Sequence, residues 1–182
     1  MKIFLTSLFI ILVLISCSTE TANQDQSNAF RNEVIEIAKK YVSDKFTESK
    51  VTTESNGIVS VSDDRVDYIL KTVDNSTKYI IDPAMITTGL INEDEETDAV
   101  IVISSSKGQY LQPNEILILT GKDGNLILNR VIESDMKILR LKERVITAEI
   151  TTKSRNSPLR DCTKCKEIVK YRFRNGDLVK AE

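Results

Sequence analysis

Two tight turns place the strongest constraint on what this chain can fold into. Asn175-Gly176 is the residue pair best suited to a type I′ turn, and Gly121-Lys122-Asp123-Gly124 is a second strong hairpin signal. Ile168 to Phe173 and Asp177 to Lys180 flank the first, and Ile116 to Thr120 and Asn125 to Ile132 flank the second. Turns this short join only antiparallel neighbours. Met136 to Leu141 and Val145 to Thr151 form a further pair around Lys142-Glu143-Arg144. Upstream, Ile58 to Val61 and Val66 to Leu70 read as strands turned by Asp63-Asp64, and Asp74-Asn75-Ser76 leads into Lys78 to Ile81. Ala99 to Ile103 is a continuous apolar run, the pattern of a central strand covered on both faces.

One segment departs from this period of two. Across Ala29 to Phe46, residues Phe30, Val34, Ile37, Ala38, Tyr41, Val42 and Phe46 recur at spacings of three and four, forming one apolar stripe. Ser27 or Asn28 can cap its start. The stripe reads as the side of a helix packed on a sheet. The expected fold is therefore α+β, an N-terminal amphipathic helix on a predominantly antiparallel β-meander. A β-sandwich, or a strongly curled sheet with the helix as a flap, is the alternative.

Composition narrows the chemistry. The 182 residues contain no histidine, which removes Ser-His-Asp and Cys-His nucleophile pairs, histidine bases and imidazole zinc sites. Tryptophan is absent and aromatics are 5%, a poor basis for stacking platforms. With 25 basic and 27 acidic side chains the formal net charge is -2, so nucleic acid is not an expected partner. No cofactor motif is present, and no cofactor is expected.

The first residues, MKIFLTSLFIILVLIS, place Lys2 before an apolar stretch from Ile3 to Ile15. That stretch is too short for a spanning helix of about 20 residues and has the length of a signal-peptide core. It ends in Leu14-Ile15-Ser16-Cys17, which resembles the lipobox of bacterial lipoprotein precursors. The resemblance implies cleavage before Cys17, lipidation of its thiol, and attachment to a bilayer through several acyl chains. The chain then divides into a signal peptide (1–16), a lipidated cysteine with a flexible tether (17–28) and one globular domain (29–182). Ser18, where an aspartate would resemble a retention signal, favours an outer-membrane anchor over an inner-membrane one.

Gly89 to Ala99 (GLINEDEETDA), leading into Val-Ile-Val-Ile, resembles the acidic GDLNGDGxxDA loop of small exported bacterial proteins of unknown function. The likeness runs from about Tyr79 to Val179, through the hairpin at Gly121 to Leu128 and the final basic strand. Loops of that kind are similar to calcium loops, with oxygen ligands at alternate positions. The carry-over leaves Asn92, Asp94 and Asp98 as candidate metal ligands, while Leu90 stands at the first carboxylate position and Glu93 and Glu95 at the turn glycines. The alternative is a solvated acidic loop in which Asp98 closes a turn.

Cys162 and Cys165, spaced C-x-x-C in a polar loop after Pro158, are candidates for a local disulfide in an exported chain. Ser104-Ser105-Ser106-Lys107 has the S-x-x-K spacing of penicillin-binding serine enzymes, here in a Ser-rich loop after a strand and without S-D-N or K-T-G downstream. No acid stands in an apolar context that singles it out as catalytic. These readings favour a membrane-anchored envelope lipoprotein that binds or scaffolds without catalysis and has a protein partner in the envelope. The alternatives are an exported inhibitor or immunity-type protein acting on a hydrolase, and, behind it, a carboxylate-dependent hydrolase.

Overall fold

A computed structural model describes residues 27–45, 57–62, 65–71, 76–107, 109–151, 153 and 163–181. The expected signal peptide, Cys17, most of the expected tether, Phe46, the expected Asp63-Asp64 turn and Cys162 lie outside the described residues. The chain divides into two compact units, residues 1–33 and Val34–Glu182. The described part of the first is the beginning of helix α1 (27–45), and everything below concerns the second. Helix α1 starts two residues before the predicted Ala29, the usual uncertainty of a helix end. No helix among the described residues is long and apolar enough to cross a membrane.

Among the described residues the architecture is α+β, with one α-helix packed on antiparallel sheets and no closed barrel. The first sheet contains β1 (Gly57–Ser62), β2 (Arg65–Lys71), β3 (Ser76–Gly89), β4 (Asp98–Lys107), β6 (Asn114–Lys122) and β7 (Asn125–Ser134) in that spatial order. The short β5 (Tyr110–Leu111) pairs only with β4. The second sheet contains β8 (Lys137–Lys142), β9 (Val145–Thr151), β10 (Lys166–Arg174) and β11 (Asp177–Lys180), again in chain order. The meander is therefore real but divided. The break falls at Asp135, where the Met136 amide donates to the Ser134 hydroxyl at 3.2 Å and the chain leaves the first sheet.

Alternation along β4 and β6 builds both cores. Val100 and Val102 with Ile116 and Ile118 pack against Leu141, Ile146 and Ala148 of the second sheet, with Tyr171, Phe173 and Leu178 at the margin. The intervening Ala99, Ile101, Ile103, Leu117 and Leu119 are fully buried on the opposite face. There α1 lays down Val34, Ala38 and Val42, spaced by four and each 0% exposed. Burial of one such valine or isoleucine contributes roughly 1.5–3 kcal/mol, so these two doubly covered strands dominate the stability.

Strand β3 runs well past the predicted Ile81. Its pairing with β4 shifts between Ile81 and Ile86, across Asp82-Pro83-Ala84-Met85. Proline has no N–H to contribute to a ladder, and an irregularity of this kind lets the strand continue around it. Asp82 holds the bend by accepting from the Ala84 amide at 2.8 Å.

Among the described residues three two-residue turns close hairpins. Asp123-Gly124 (φ 53° and 78°) and Asn175-Gly176 (φ 52° and 83°) have the left-handed pair expected of type I′. Glu143-Arg144 adopts the same conformation (φ 53° and 60°) without a glycine, a strained solution for two ordinary side chains.

Candidate functional site

Alternation also brings polar side chains to the helix-covered side of the first sheet. Glu115 has the parity of Leu117 and Leu119 on β6, and Ser105 and Lys107 have that of Ile101 and Ile103 on β4. Tyr79 of β3 lies directly opposite Ser105, and Glu133 of β7 directly opposite Glu115. Lys45 of α1 completes the group. Together with neighbouring backbone these side chains line a pocket of about 260 Å³.

Glu115 is its buried centre, only 5% exposed. The Lys45 ammonium donates to both carboxylate oxygens, each at 2.7 Å, and the Tyr41 hydroxyl donates to one of them at 2.6 Å. Tyr41 and Lys45 are one helical turn apart, so a single stripe of α1 delivers both donors. The ammonium also lies 5.0 Å from the Tyr41 ring centroid and 5.7 Å from that of Tyr79, within cation–π range.

Electrostatics keep both phenols protonated. Burial pushes the Tyr41 hydroxyl far above its ordinary range, and the hydrogen bond to Glu115 and that carboxylate's charge push it further. Tyr79 is raised by burial first, then by the charges of Glu115 and Glu133. Tyr41 acts here as a donor and both tyrosines as packing groups, not as proton relays. Glu115 and Glu133 face one another across β6 and β7, a pairing of like charges that Lys45 offsets. The pocket can hold a small polar molecule against Lys107 and Glu133 at its mouth, while Glu115 already accepts three hydrogen bonds from two donors, Lys45 and Tyr41.

The chain matches no family model, no curated protein and no solved structure. Its chemistry is therefore read from its own geometry, and the lipobox and the acidic-loop likeness rest on the residues that carry them.

The acidic segment folds around its own backbone. Asp98 is fully buried; one carboxylate oxygen accepts from the Ile91 amide at 2.5 Å and the Asn92 amide at 3.3 Å, the other from the Gly121 amide at 3.0 Å. It thus joins both ends of the loop to β6. Asp94 accepts from the Asn92 side chain at 2.5 Å and from the Glu96 amide at 3.0 Å, while Asn92 accepts from the Asp94 amide at 3.0 Å. Glu96 reaches across to the β6–β7 turn and accepts from the amides of Asp123 and Gly124 at 3.0 and 3.2 Å. Glu95 takes the left-handed conformation (φ 64°) that a glycine would adopt more easily. Asn92, Asp94 and Asp98 thus lie in one loop but direct their oxygens at N–H groups. Among the described residues no three His, Cys, Asp or Glu side chains group as metal ligands.

The serine-rich segment differs from its expected loop. Ser104 to Lys107 continue β4, and in a strand residues three apart face opposite sides. Ser104 accordingly turns away from the pocket and donates to Asn114 at 3.1 Å, whereas Ser105 and Lys107 line it. The S-x-x-K spacing therefore brings no serine and lysine together. Cys165 ends a single 3₁₀ turn, Thr163–Cys165, directly before β10, and is partly buried.

Glu115 and Tyr41 were not candidates in the sequence. The available signal was parity: in Asn114-Glu115-Ile116-Leu117-Ile118-Leu119, the acid shares its face with two leucines, so it must be buried if they are.

Proposed function

We propose that this chain is a membrane-anchored lipoprotein of the bacterial envelope, held by acylated Cys17, whose folded domain binds or scaffolds without catalysis. The observation that carries the reading is Leu14-Ile15-Ser16-Cys17 at the point where a short apolar run gives way to polar sequence. An outer-membrane position follows from Ser18 after the cysteine. The non-catalytic part is supported by the two buried carboxylates. Asp98 is engaged by three backbone amides, and Glu115 by Lys45 and Tyr41, so neither is free to trade protons with a substrate. The hydrolase alternative would need Glu115 and Glu133 to work as a pair, and one of the two is spent.

The test is intact mass of the protein taken from the envelope. The wild type should begin at Cys17 and carry acyl chains, and Cys17→Ser should lose both features and leave the acylated fraction. An uncleaved, unmodified amino terminus in the wild type would refute the reading.

A further inference from the structure

The outer face of the second sheet, turned away from the core, is strongly basic. On β10, Val169, Tyr171 and Phe173 point inward, so Ile168, Lys170, Arg172 and Arg174 alternate to the other side. Register carries this face across the sheet. Lys170 lies opposite Thr147, and Thr147 opposite Arg140; Ile168 lies opposite Glu149, and Glu149 opposite Lys137. Lys142 and Lys166 occupy further positions of the same face, opposite Val145 and Thr151. Among the described residues two acids stand in its register, and a third, Glu143 of the β8–β9 turn, is ion-paired with Lys142 at 3.3 Å. Glu149 is ion-paired with Lys166 at 3.0 Å, and Asp177, beside Arg174, with Arg130 of the first sheet at 2.7 Å.

Seven of the chain's 25 basic residues and two of its 27 acidic ones therefore stand on one face, and the remainder carries seven more acids than bases. The face also has exposed apolar side chains among its cations, Ile168 at 56% and Val179 at 47%. Beside Val179 a recess of about 470 Å³ is lined by Arg172, Arg174 and Lys180, the last lying opposite inward-facing Tyr171 and ion-paired with Glu167 at 3.8 Å. Guanidinium groups in such a recess suit a phosphate, which they can grip with two parallel hydrogen bonds. Among the described residues no aromatic ring stands on this face, because Tyr171 and Phe173 point inward, so they offer no stacking surface of the kind single-stranded nucleic acid uses.

We infer that this face docks on an anionic bilayer, its cations on lipid phosphates and Ile168 and Val179 at the headgroup boundary. A basic surface with interspersed apolar groups is complementary to that partner. The inference rests on the proposed anchor, which holds the domain near the bilayer: nine residues separate Cys17 from Ser27, a reach of at most about 35 Å. Confinement at that distance raises the effective concentration of headgroups, so weak contacts suffice.

The experiment uses the full chain purified from membranes and reconstituted on two kinds of vesicle, phosphatidylcholine alone and phosphatidylcholine mixed with phosphatidylglycerol. Lysines are labelled with a water-soluble acylating reagent, and the rate at each is read by peptide mass spectrometry. Lys137, Lys142 and Lys170 should label roughly fivefold more slowly on the anionic vesicles. Lys40 and Lys122, elsewhere on the surface, should not change. Salt at about 0.5 M should erase the difference by screening. The exposed triple variant Lys170→Glu, Arg172→Glu, Arg174→Glu should erase it too, with an unchanged far-UV circular dichroism spectrum. Protein that sediments with both vesicles but labels equally on each would overturn the inference and leave the anchor standing. Protein left in the supernatant from both would overturn the anchor and the inference together. Protection by soluble polyglutamate or RNA, but not by vesicles, would assign the face to a different polyanion and overturn the bilayer.

Discussion

Lys45→Met should destabilise the domain more than Glu115→Leu, although the two side chains form one ion pair. Removing one partner of a fully buried pair costs about 3–5 kcal/mol, because the other charge is stranded. Here the partners are unequally placed: the side chain of Glu115 is 7% exposed and that of Lys45 is 29% exposed. Without Lys45, the carboxylate keeps, among the described residues, only the Tyr41 hydroxyl and remains almost wholly buried. With access to solvent discounted, the loss should be about 2–3 kcal/mol. Without Glu115, the lysine can swing its ammonium outward on a flexible stem, leaving mainly an unpaired Tyr41 hydroxyl and a cost of about 1–2 kcal/mol. The double variant replaces the pair by apolar groups of similar volume and should lose about 1–2 kcal/mol, well below the sum of the singles. Urea unfolding followed by circular dichroism at neutral pH measures all four species, and an unchanged m-value would show that the unfolded states are comparable. Strict additivity, or a Lys45→Met cost below about 0.5 kcal/mol, would refute the claim that this pair docks the helix on the sheet.

Asp98→Ala should cost about 3–4 kcal/mol, because it leaves the amides of Ile91, Asn92 and Gly121 without their acceptor, and Asp98→Asn should cost less by keeping one oxygen; urea unfolding again provides the measurement. Arg144→Gly should stabilise the domain by about 0.5–1 kcal/mol, since glycine relieves the left-handed backbone that Arg144 holds at φ 60°, and a lower melting temperature would contradict the turn assignment. Alkaline stability should fall from about pH 10 upward. Tyr41 and Tyr79 are raised above their unfolded value, so their contribution is complete below that pH and is lost as the unfolded chain begins to release phenolic protons, at up to about 1.4 kcal/mol per pH unit for each tyrosine. A phenolate absorbance titration should show two of the five tyrosines ionising only with unfolding.

What could be read from the sequence was what local chemistry decides. The hairpins at Asp123-Gly124 and Asn175-Gly176 are written in residues that tolerate positive φ, and the doubly covered strand at Ala99 to Ile103 in an unbroken apolar run. The extension of β3 was hidden because Pro83 ordinarily ends a strand, and only the pairing irregularity with β4 lets the ladder resume at Ile86. The division into two sheets was hidden because Ser134-Asp135 reads like any other turn, and nothing nearby says that the next strand will pair elsewhere. Glu115 was hidden for a different reason: its ammonium partner stands 70 residues away, and only the packed helix unites them. The acidic loop reads as solvated from its charges, and Glu93, Asp94 and Glu95 are exposed. Asp98, at the same charge density, is fully buried because three backbone amides converge on it.

The distribution of charge separates what folding requires from what it does not. Strands β4 and β6 are covered on both sides, so Asp98 and Glu115 can be buried there only because every oxygen has a donor. The outer face of the second sheet is under no such demand. Folding asks only that it be polar, and alternating acids and bases would satisfy that with cross-strand attraction. Instead Lys170, Arg172 and Arg174 stand on alternate residues of one strand, roughly 7 Å apart, where they repel one another, with Arg140 in the same cross-strand row as Lys170. An arrangement that opposes folding, in a chain with acids enough to neutralise it, supports the proposal of an anionic surface outside the chain. On that proposal the binding face lies on the side of the protein where side chains can answer to a partner without disturbing either core.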